Sequence, residues 1–239
     1  MKKKAALKYL KKEWKVMRVH LQSFLKKEEQ EDLHRFRIQA KRIEAFLMLL
    51  DQVGHHSKLV KCFSPVKKMF KKTGALRNRY IINELIPGYF SPKKSLRKFR
   101  SLVVRYRKRI KKARLKLLRK IRPVKRAQIF CFYQDHLQQI TRSLNGIISD
   151  DGLHEFRKQI KVLLYNYKPF CEKLDLHLDV DYLEKVEEAI GRWHDQLMIS
   201  SLFGKNVPIV SHSEDDSLEK LRSNIIDLTH NFYQRVNHN

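Results

Sequence analysis

Residues that interrupt helices are rare in this sequence. Its 239 residues include seven glycines and six prolines, so long stretches contain neither. No segment shows the alternating apolar pattern of a half-buried strand. Three cysteines, Cys62, Cys131 and Cys171, lack metal-ligand spacing, and we expect buried free thiols in a reducing compartment. These absences favour an all-α fold that needs no disulfide bridge.

Long apolar runs are missing as well. No segment approaches the ~20 consecutive apolar residues of a membrane span. Lys8, Lys11 and Lys12 interrupt the N-terminal segment where a signal peptide would have its apolar core. We therefore expect a soluble cytoplasmic protein. Its 42% hydrophobic and 10% aromatic residues are enough for a packed core.

Acidic residues are scarce compared with basic ones. There are 25 Asp and Glu against 52 Lys and Arg, which gives a formal net charge of +27. Residues 85–134 contain 18 Lys or Arg and no acid. Self-repulsion on this scale destabilises a compact state. The composition therefore predicts a polyanionic partner, which could be nucleic acid, a phosphate polymer or an anionic membrane.

An internal repeat is the main feature that the sequence does contain. Residues 33–41 and 153–161 share Leu, His, Phe, Arg, Gln and Lys at an offset of 120 positions. On a helix, the His, Arg and Lys of each copy fall within roughly 60° of one another. We call these two rows ladder 1 and ladder 2: His34, Arg37 and Lys41 in the first, His154, Arg157 and Lys161 in the second. Tyr165 returns to the stripe of ladder 2.

The ladders predict a bound anion. Neither row includes a carboxylate, and two cations one turn apart on an exposed helix repel by a few tenths of a kcal/mol. Two further segments, 73–78 and 190–195, recur at an offset of 117 and end in Arg77-Asn78 and His194-Asp195. The sequence therefore predicts two related halves, each with a cationic ladder and a glycine-containing segment.

Hydrophobic periodicity predicts helices along the whole chain. We expect them at 4–28, 31–51, between 57 and 86 as two helices broken near Thr73-Gly74, and at 92–122, 124–148, 150–168 and 214–236. Residues 179–203 should form one further helix or a pair of helices through Gly191. Pro169 should kink or end its helix, and 204–213 should be a loop. Lys11 and Arg18 border the apolar stripe of the first helix. Arg100, Arg107 and Arg114 border that of the long basic helix, either as cations beside a core or as the lining of a basic groove.

The chain resembles the CHAD family, the conserved histidine α-helical domain. The resemblance covers nearly the whole sequence and rests on both ladders with their neighbouring cations and on the two glycine-containing segments. It implies two pseudo-symmetric four-helix units around a central basic cavity. Within a single domain over 1–239, the first helical repeat would span 1–90, the long basic helix 91–122 and the second repeat 123–239.

The resemblance also implies a function. It implies binding of inorganic polyphosphate, often at storage granules, without catalysis by this module itself. We expect neither a cofactor nor a metal. The present chain departs from the family at Glu44 and Leu164, where arginine is usual, and at Asn78, where aspartate is usual.

The expected polyphosphate contacts combine the ladders, the resemblance and the bordering cations. They are His34, Arg37, Lys41, Arg42, Arg77, His154, Arg157, Lys158, Lys161, Tyr165, His194, Lys11, Arg18, Arg100, Arg107 and Arg114. Arginines would grip phosphate oxygens bidentately. Protonated histidines would add donors, so we expect stronger binding at mildly acid pH.

Two other functions compete with this interpretation. His154, His194-Asp195 and Asp227 could supply the metal ligands of an HD-type phosphohydrolase, although the spacing is loose and the repeat partner of His194-Asp195 is Arg77-Asn78. A general nucleic-acid-binding protein fits the charge and the basic helix, but no helix-turn-helix or zinc-knuckle pattern is present. A membrane-surface protein fits less well, because the cations accompany core stripes.

Overall fold

A computed structural model describes residues 1–54, 58–85, 93–144, 149–170, 177–203 and 217–237. Within these ranges the regular structure is helical and no strand occurs, which confirms the all-α prediction. The chain separates into two compact units, Met1–Ile129 (unit 1) and Phe130–Asn239 (unit 2). Among the described residues, no helix combines the length and apolar character needed to cross a membrane.

Unit 1 is built from helices that pack around α2. Its helices are α1 Lys3–Lys27, α2 Gln30–Val53, α3 Leu59–Cys62, α4 Ser64–Leu85, α5 Lys93–Lys120 and the first residues of α6 Arg126–Leu144. Helix α2 packs against α1, α3 and α4, and α5 packs against α1, α3 and α4. The long basic helix therefore contributes its apolar stripe to the core of unit 1.

The apolar stripe of α1 explains how that helix is anchored. Leu10, Trp14, Met17 and Phe24 are buried, as the spacing predicts. Each fully buried side chain of this size contributes about 1.5–3 kcal/mol through the hydrophobic effect. The helix ends at Glu28, which adopts a left-handed conformation with φ 63° and turns the chain towards α2.

The predicted helix break at Thr73-Gly74 is wrong. Helix α4 runs without interruption through both residues, and the break lies earlier, at Phe63 between α3 and α4. The Thr73 hydroxyl donates to the Phe70 carbonyl (2.6 Å) and is fully buried. A glycine inside a helix costs about 1 kcal/mol relative to alanine, which the packing of α4 against α2 and α5 offsets.

Unit 2 is organised around α8. Its helices are most of α6, α7 Asp150–Phe170, α8 Val180–Phe203, α9 Leu218–Thr229 and α10 Phe232–Val236. Helix α8 packs against α7, α9 and α10. Buried Tyr133 ties α6 to α7 by donating its hydroxyl to the Leu163 carbonyl (3.1 Å). The Tyr182 hydroxyl likewise ties α8 to the end of α9 through the Leu228 carbonyl (2.6 Å).

Two boundaries in unit 2 differ from the sequence prediction. Helix α7 continues through Pro169 to Phe170. The single helix expected at 214–236 is two helices, because Asn231 adopts a left-handed conformation with φ 55° and separates α9 from α10. Asparagine is one of the few residues that tolerate this conformation. The loop predicted at 204–213 lies outside the described residues.

The cysteines are more exposed than expected. Cys62 is half-buried and Cys131 is exposed, and both are free thiols. Cys131 is exposed because α6 packs through the adjacent Phe132 and Tyr133, which are buried. The prediction of buried thiols is wrong for these two residues, and Cys171 lies outside the described residues.

Candidate functional site

Ladder 1 lies on α2, and its arginine is held by α4. The Arg37 Nη1 atom donates to the Phe70 carbonyl (2.9 Å) and to Thr73 Oγ1 (3.1 Å). The guanidinium also lies over the Phe70 ring, with Cζ 4.2 Å from the ring centroid. These partners are neutral, so they fix the position of the guanidinium without neutralising its charge.

Gly74 allows Arg37 to lie close to α4. A Cβ atom at this position would be 3.1 Å from Arg37 Nη1, tighter than an ordinary contact. The glycine-containing segment and the ladder of unit 1 are therefore in direct contact. In the sequence, the segment and the ladder are linked only by their common recurrence; the contact with Arg37 gives a physical reason for the glycine.

Arg77 adds a second charge to this cluster. Desolvation lowers the pKa of His34 and the Arg77 charge lowers it further, whereas the Glu31 carboxylate raises it; Arg37 and Lys41 also lower it. Burial and Arg77 lower the pKa of Arg37 to about 10, so the guanidinium stays charged at neutral pH. We define His34, Arg37, Lys41 and Arg77 as cluster 1. Its members are close enough to raise the electrostatic potential at one another.

Acidic residues near cluster 1 have partners of their own. Glu31 accepts from Arg35 Nε (2.7 Å) on the exposed side of α2. Glu44, one of the departures from the CHAD pattern, pairs with Lys67 Nζ (2.5 Å). The Arg35 and Lys67 charges offset these carboxylates, although Glu31 still raises the pKa of His34 in the cluster.

Ladder 2 has a different environment. Glu187 Oε1, on α8, accepts from Arg157 Nε (2.6 Å) and from Lys161 Nζ (2.7 Å). The bound anion was predicted because neither row includes a carboxylate. For ladder 2 this premise does not leave the cations uncompensated, because Glu187 reaches them from a different helix. Lys158, next to Arg157, makes an exposed pair with Glu155 (3.0 Å).

Gly191 has the same role in unit 2 as Gly74 has in unit 1. A Cβ atom at position 191 would lie 2.6 Å from Arg157 Nη2. Glu187 lies one turn earlier on α8, and its carboxylate contacts Arg157, the arginine that lies against Gly191. In the repeat register of 117 positions, Glu187 corresponds to Phe70 and Gly191 corresponds to Gly74.

The histidines of unit 2 lie side by side. The His154 and His194 rings are 4.9 Å apart between centroids, in a tilted arrangement. Desolvation lowers the pKa of His154, and Lys158, His194 and Arg157 lower it further. His154 Nδ1 is buried without a hydrogen-bond partner in the described part of the chain. His194 thus occupies the place beside the ladder histidine that Arg77 occupies in unit 1.

The remaining predicted contacts are spread over the surface of their helices. Arg42, Lys11, Arg18 and Arg107 are exposed, and Tyr165 is half-buried. Arg100 donates to Glu28 Oε1 (2.7 Å) and to the Leu25 carbonyl (3.0 Å), so Glu28, immediately after α1, supplies the anion for one cation of the acid-free helix. Arg114 is half-buried, and its Nε has no partner among the described residues.

The alternative metal site does not assemble. His154 and His194 are adjacent, but the described residues contain no group of three or more His, Cys, Asp or Glu side chains placed to hold a metal ion. Asp195 and Asp227 therefore do not complete a metal site with these histidines.

Phe70 and Glu187 were missed by the sequence analysis. Both occur four residues before a glycine of the recurring segments, and this common register was a signal that could have identified them.

Comparisons of the chain with protein-family models, with curated proteins and with solved structures find no match.

Proposed function

We propose that this protein binds inorganic polyphosphate without catalysis, as the CHAD-like sequence pattern implies, with related cationic sites in its two helical units and a basic cavity. The proposal extends to a cytoplasmic location at polyphosphate granules. The observation that carries it is cluster 1, where a fixed arginine, a second arginine, a lysine and a histidine lie together.

The geometry of Arg37 suits a phosphate group. Its described hydrogen bonds use Nη1 alone, and within the described residues no group accepts from Nε or Nη2. That edge of a guanidinium matches two phosphate oxygens in a bidentate pair. The side chain is held in place before the ligand arrives, which lowers the entropic cost of binding.

A polymer fits the charge distribution better than a single small anion. Helix α5 carries 15 Lys or Arg and no acid, and 13 of these cations are exposed. Their density is about one charge per 3 Å of helix, given a rise of about 1.5 Å per residue. A linear polyanion would release counterions along this surface, so its affinity should fall steeply with salt.

The same exposed face of α5 favours nucleic acid as the second candidate partner. A phosphodiester backbone carries a similar density of negative charge, and a basic helix fits the major groove of DNA. Cluster 1 favours polyphosphate over nucleic acid. Its fixed arginine lies beside further cations, an arrangement that suits a polymer whose phosphates are closely spaced and carry no bases.

The test is a double substitution, Arg37→Ala with Arg157→Ala, assayed with long-chain polyphosphate. We expect a loss of several kcal/mol in binding with helicity unchanged by circular dichroism. Most of the loss should come from Arg37, because charge-assisted hydrogen bonds contribute ~1.5–3 kcal/mol each and Glu187 already offsets the Arg157 charge. The matched control is Arg35→Ala with Arg192→Ala, which removes the same charge from exposed i,i+4 pairs on α2 and α8.

Two binding results, and one activity result, would contradict the proposal. One is equal affinity of the double variant and its control, which would place the anion elsewhere on the surface. The other is displacement of polyphosphate by duplex DNA or RNA at comparable phosphate concentration in about 0.15 M salt, which would favour the nucleic-acid function. Release of orthophosphate from the polymer by the purified protein would point instead to a hydrolase.

A further inference from the structure

We infer that Glu187 is an internal competitor for phosphate at ladder 2, and that it makes unit 2 selective for condensed phosphates over orthophosphate. The inference rests on the proposed function and adds the residue that sets the specificity of one site. One carboxylate oxygen accepts from both Arg157 and Lys161, at 2.6 Å and 2.7 Å. It therefore occupies the position that a phosphate oxygen would take between these two cations.

The contact is part of the packing of unit 2. The side chains of Arg157, Lys161 and Glu187 are only 22%, 21% and 20% exposed. Gly191, one turn after Glu187, leaves the space in which the Arg157 guanidinium lies against α8. Partial burial reduces the solvent screening of the pair, so the carboxylate competes more strongly than an exposed one would.

Tethering strengthens the competition further. A group attached to the same protein acts at an effective concentration in the millimolar range or above. Orthophosphate offers one phosphate group, so it has to displace the carboxylate with the contacts of that group alone. A condensed phosphate carries neighbouring charges that also contact Lys158 or a protonated His154, and these added contacts offset the loss of the Glu187 pair.

In unit 1, no carboxylate among the described residues pairs with the corresponding arginine, Arg37. Phe70 stands where the repeat register places Glu187, and its ring lies under the Arg37 guanidinium. Thr73 Oγ1 and the Phe70 carbonyl hold Nη1 as neutral acceptors. An anion can therefore approach Arg37 without first breaking an internal ion pair.

The experiment uses the full chain with Arg37→Ala, which weakens cluster 1 so that unit 2 dominates the signal. In this background, Glu187→Gln keeps the shape of the side chain and removes its charge. Calorimetry should show that Glu187→Gln raises the affinity for orthophosphate about tenfold over the Arg37→Ala chain, the size expected for one charge-assisted contact. The affinity for tripolyphosphate should rise by a smaller factor. The slope of log affinity against log salt should steepen by about one.

The matched control is Glu188→Gln on the adjacent residue. It removes the same charge, but Glu188 and its partner Arg192 are 67% and 65% exposed. We expect no change in affinity, salt slope or preference between the two phosphates. If Glu187→Gln behaves like Glu188→Gln while thermal melting shows both to be folded, the inference is overturned.

A reciprocal substitution keeps the inference testable if Glu187→Gln fails to fold. Phe70→Glu introduces the competitor into unit 1 of the otherwise wild-type chain, and Phe70→Gln is its uncharged control. We expect Phe70→Glu to bind orthophosphate about tenfold more weakly than Phe70→Gln; equal affinities would overturn the inference. If the wild-type chain binds no condensed phosphate at all, the proposed function itself is wrong.

Discussion

Arg37 and Arg157 occupy corresponding positions in the two halves of the chain, yet their electrostatic surroundings differ. Each lies on the ladder helix of its unit, and each approaches a glycine of a later helix, Gly74 or Gly191. Arg37 then meets an aromatic ring and neutral oxygens. Arg157 meets the carboxylate of Glu187.

This difference shows how a duplicated site can keep its geometry and change its chemistry. The glycine preserves the close approach of the guanidinium, which requires space. The residue one turn before the glycine decides whether the charge is available to an external anion. A ring attracts the cation through its quadrupole and leaves the net charge in place, whereas a carboxylate cancels it.

The largest expected effect comes from removing each arginine separately. Arg37→Ala should weaken polyphosphate binding by ~1.5–3 kcal/mol, because an uncompensated charge is lost. Arg157→Ala should cost less than about 1 kcal/mol, because Glu187 already satisfies that arginine. Titration calorimetry at fixed low salt measures both.

Arg35→Ala is the control for this comparison, because it removes a cation from α2 whose partner is Glu31 on the exposed side of the helix. It should leave the affinity nearly unchanged. Equal losses for Arg37→Ala and Arg157→Ala would show that the two units contribute alike, and the contrast drawn from Phe70 and Glu187 would then be wrong.

The second effect is on the pH dependence of binding. In the free protein the pKa values of His34 and His154 are lowered from 6.5, so both rings are neutral at neutral pH. A bound phosphate favours the imidazolium and raises these pKa values. Affinity should therefore rise as the pH falls through the bound-state pKa, and level off below the free-state pKa.

Polyphosphate binding measured at constant salt from about pH 8 to about pH 5.5 checks this dependence, since the unperturbed pKa of histidine lies within that range. His34→Gln and His154→Gln should each flatten part of the curve. A wild-type affinity that is constant over this range would exclude participation of the histidines in binding.

The smallest effect concerns the support of Arg37. Thr73→Val keeps the shape of the side chain but removes the acceptor Oγ1, so the free energy of unfolding should fall by about 1 kcal/mol. Binding should weaken slightly, because the guanidinium is held less firmly. Urea unfolding and calorimetry measure these changes.

Thr141→Val is the matched control, because the Thr141 hydroxyl bonds only within its own helix, to the Leu137 carbonyl (2.8 Å). It should not alter polyphosphate affinity. If Thr73→Val left both stability and affinity unchanged, the Thr73 contact would have no part in positioning Arg37.

Local periodicity made most of the helices predictable. The stripe of Leu10, Trp14, Met17 and Phe24 identified α1 and its buried face. The two errors at single residues had different causes: Gly74 was interpreted as a helix breaker, whereas Asn231 was not recognised as one. Tertiary packing offsets the cost of a glycine inside α4, and a left-handed residue splits the last helix.

The amino-acid sequence by itself determined the helices and the placement of His, Arg and Lys on one face of α2 and of α7. Both follow from the 3.6-residue period of the helix, which needs no information from distant residues. Only the tertiary structure decided that Arg157, and among the described residues not Arg37, has a carboxylate partner. Glu187 is 30 positions from Arg157 and Phe70 is 33 from Arg37, and helix packing alone brings such residues into contact.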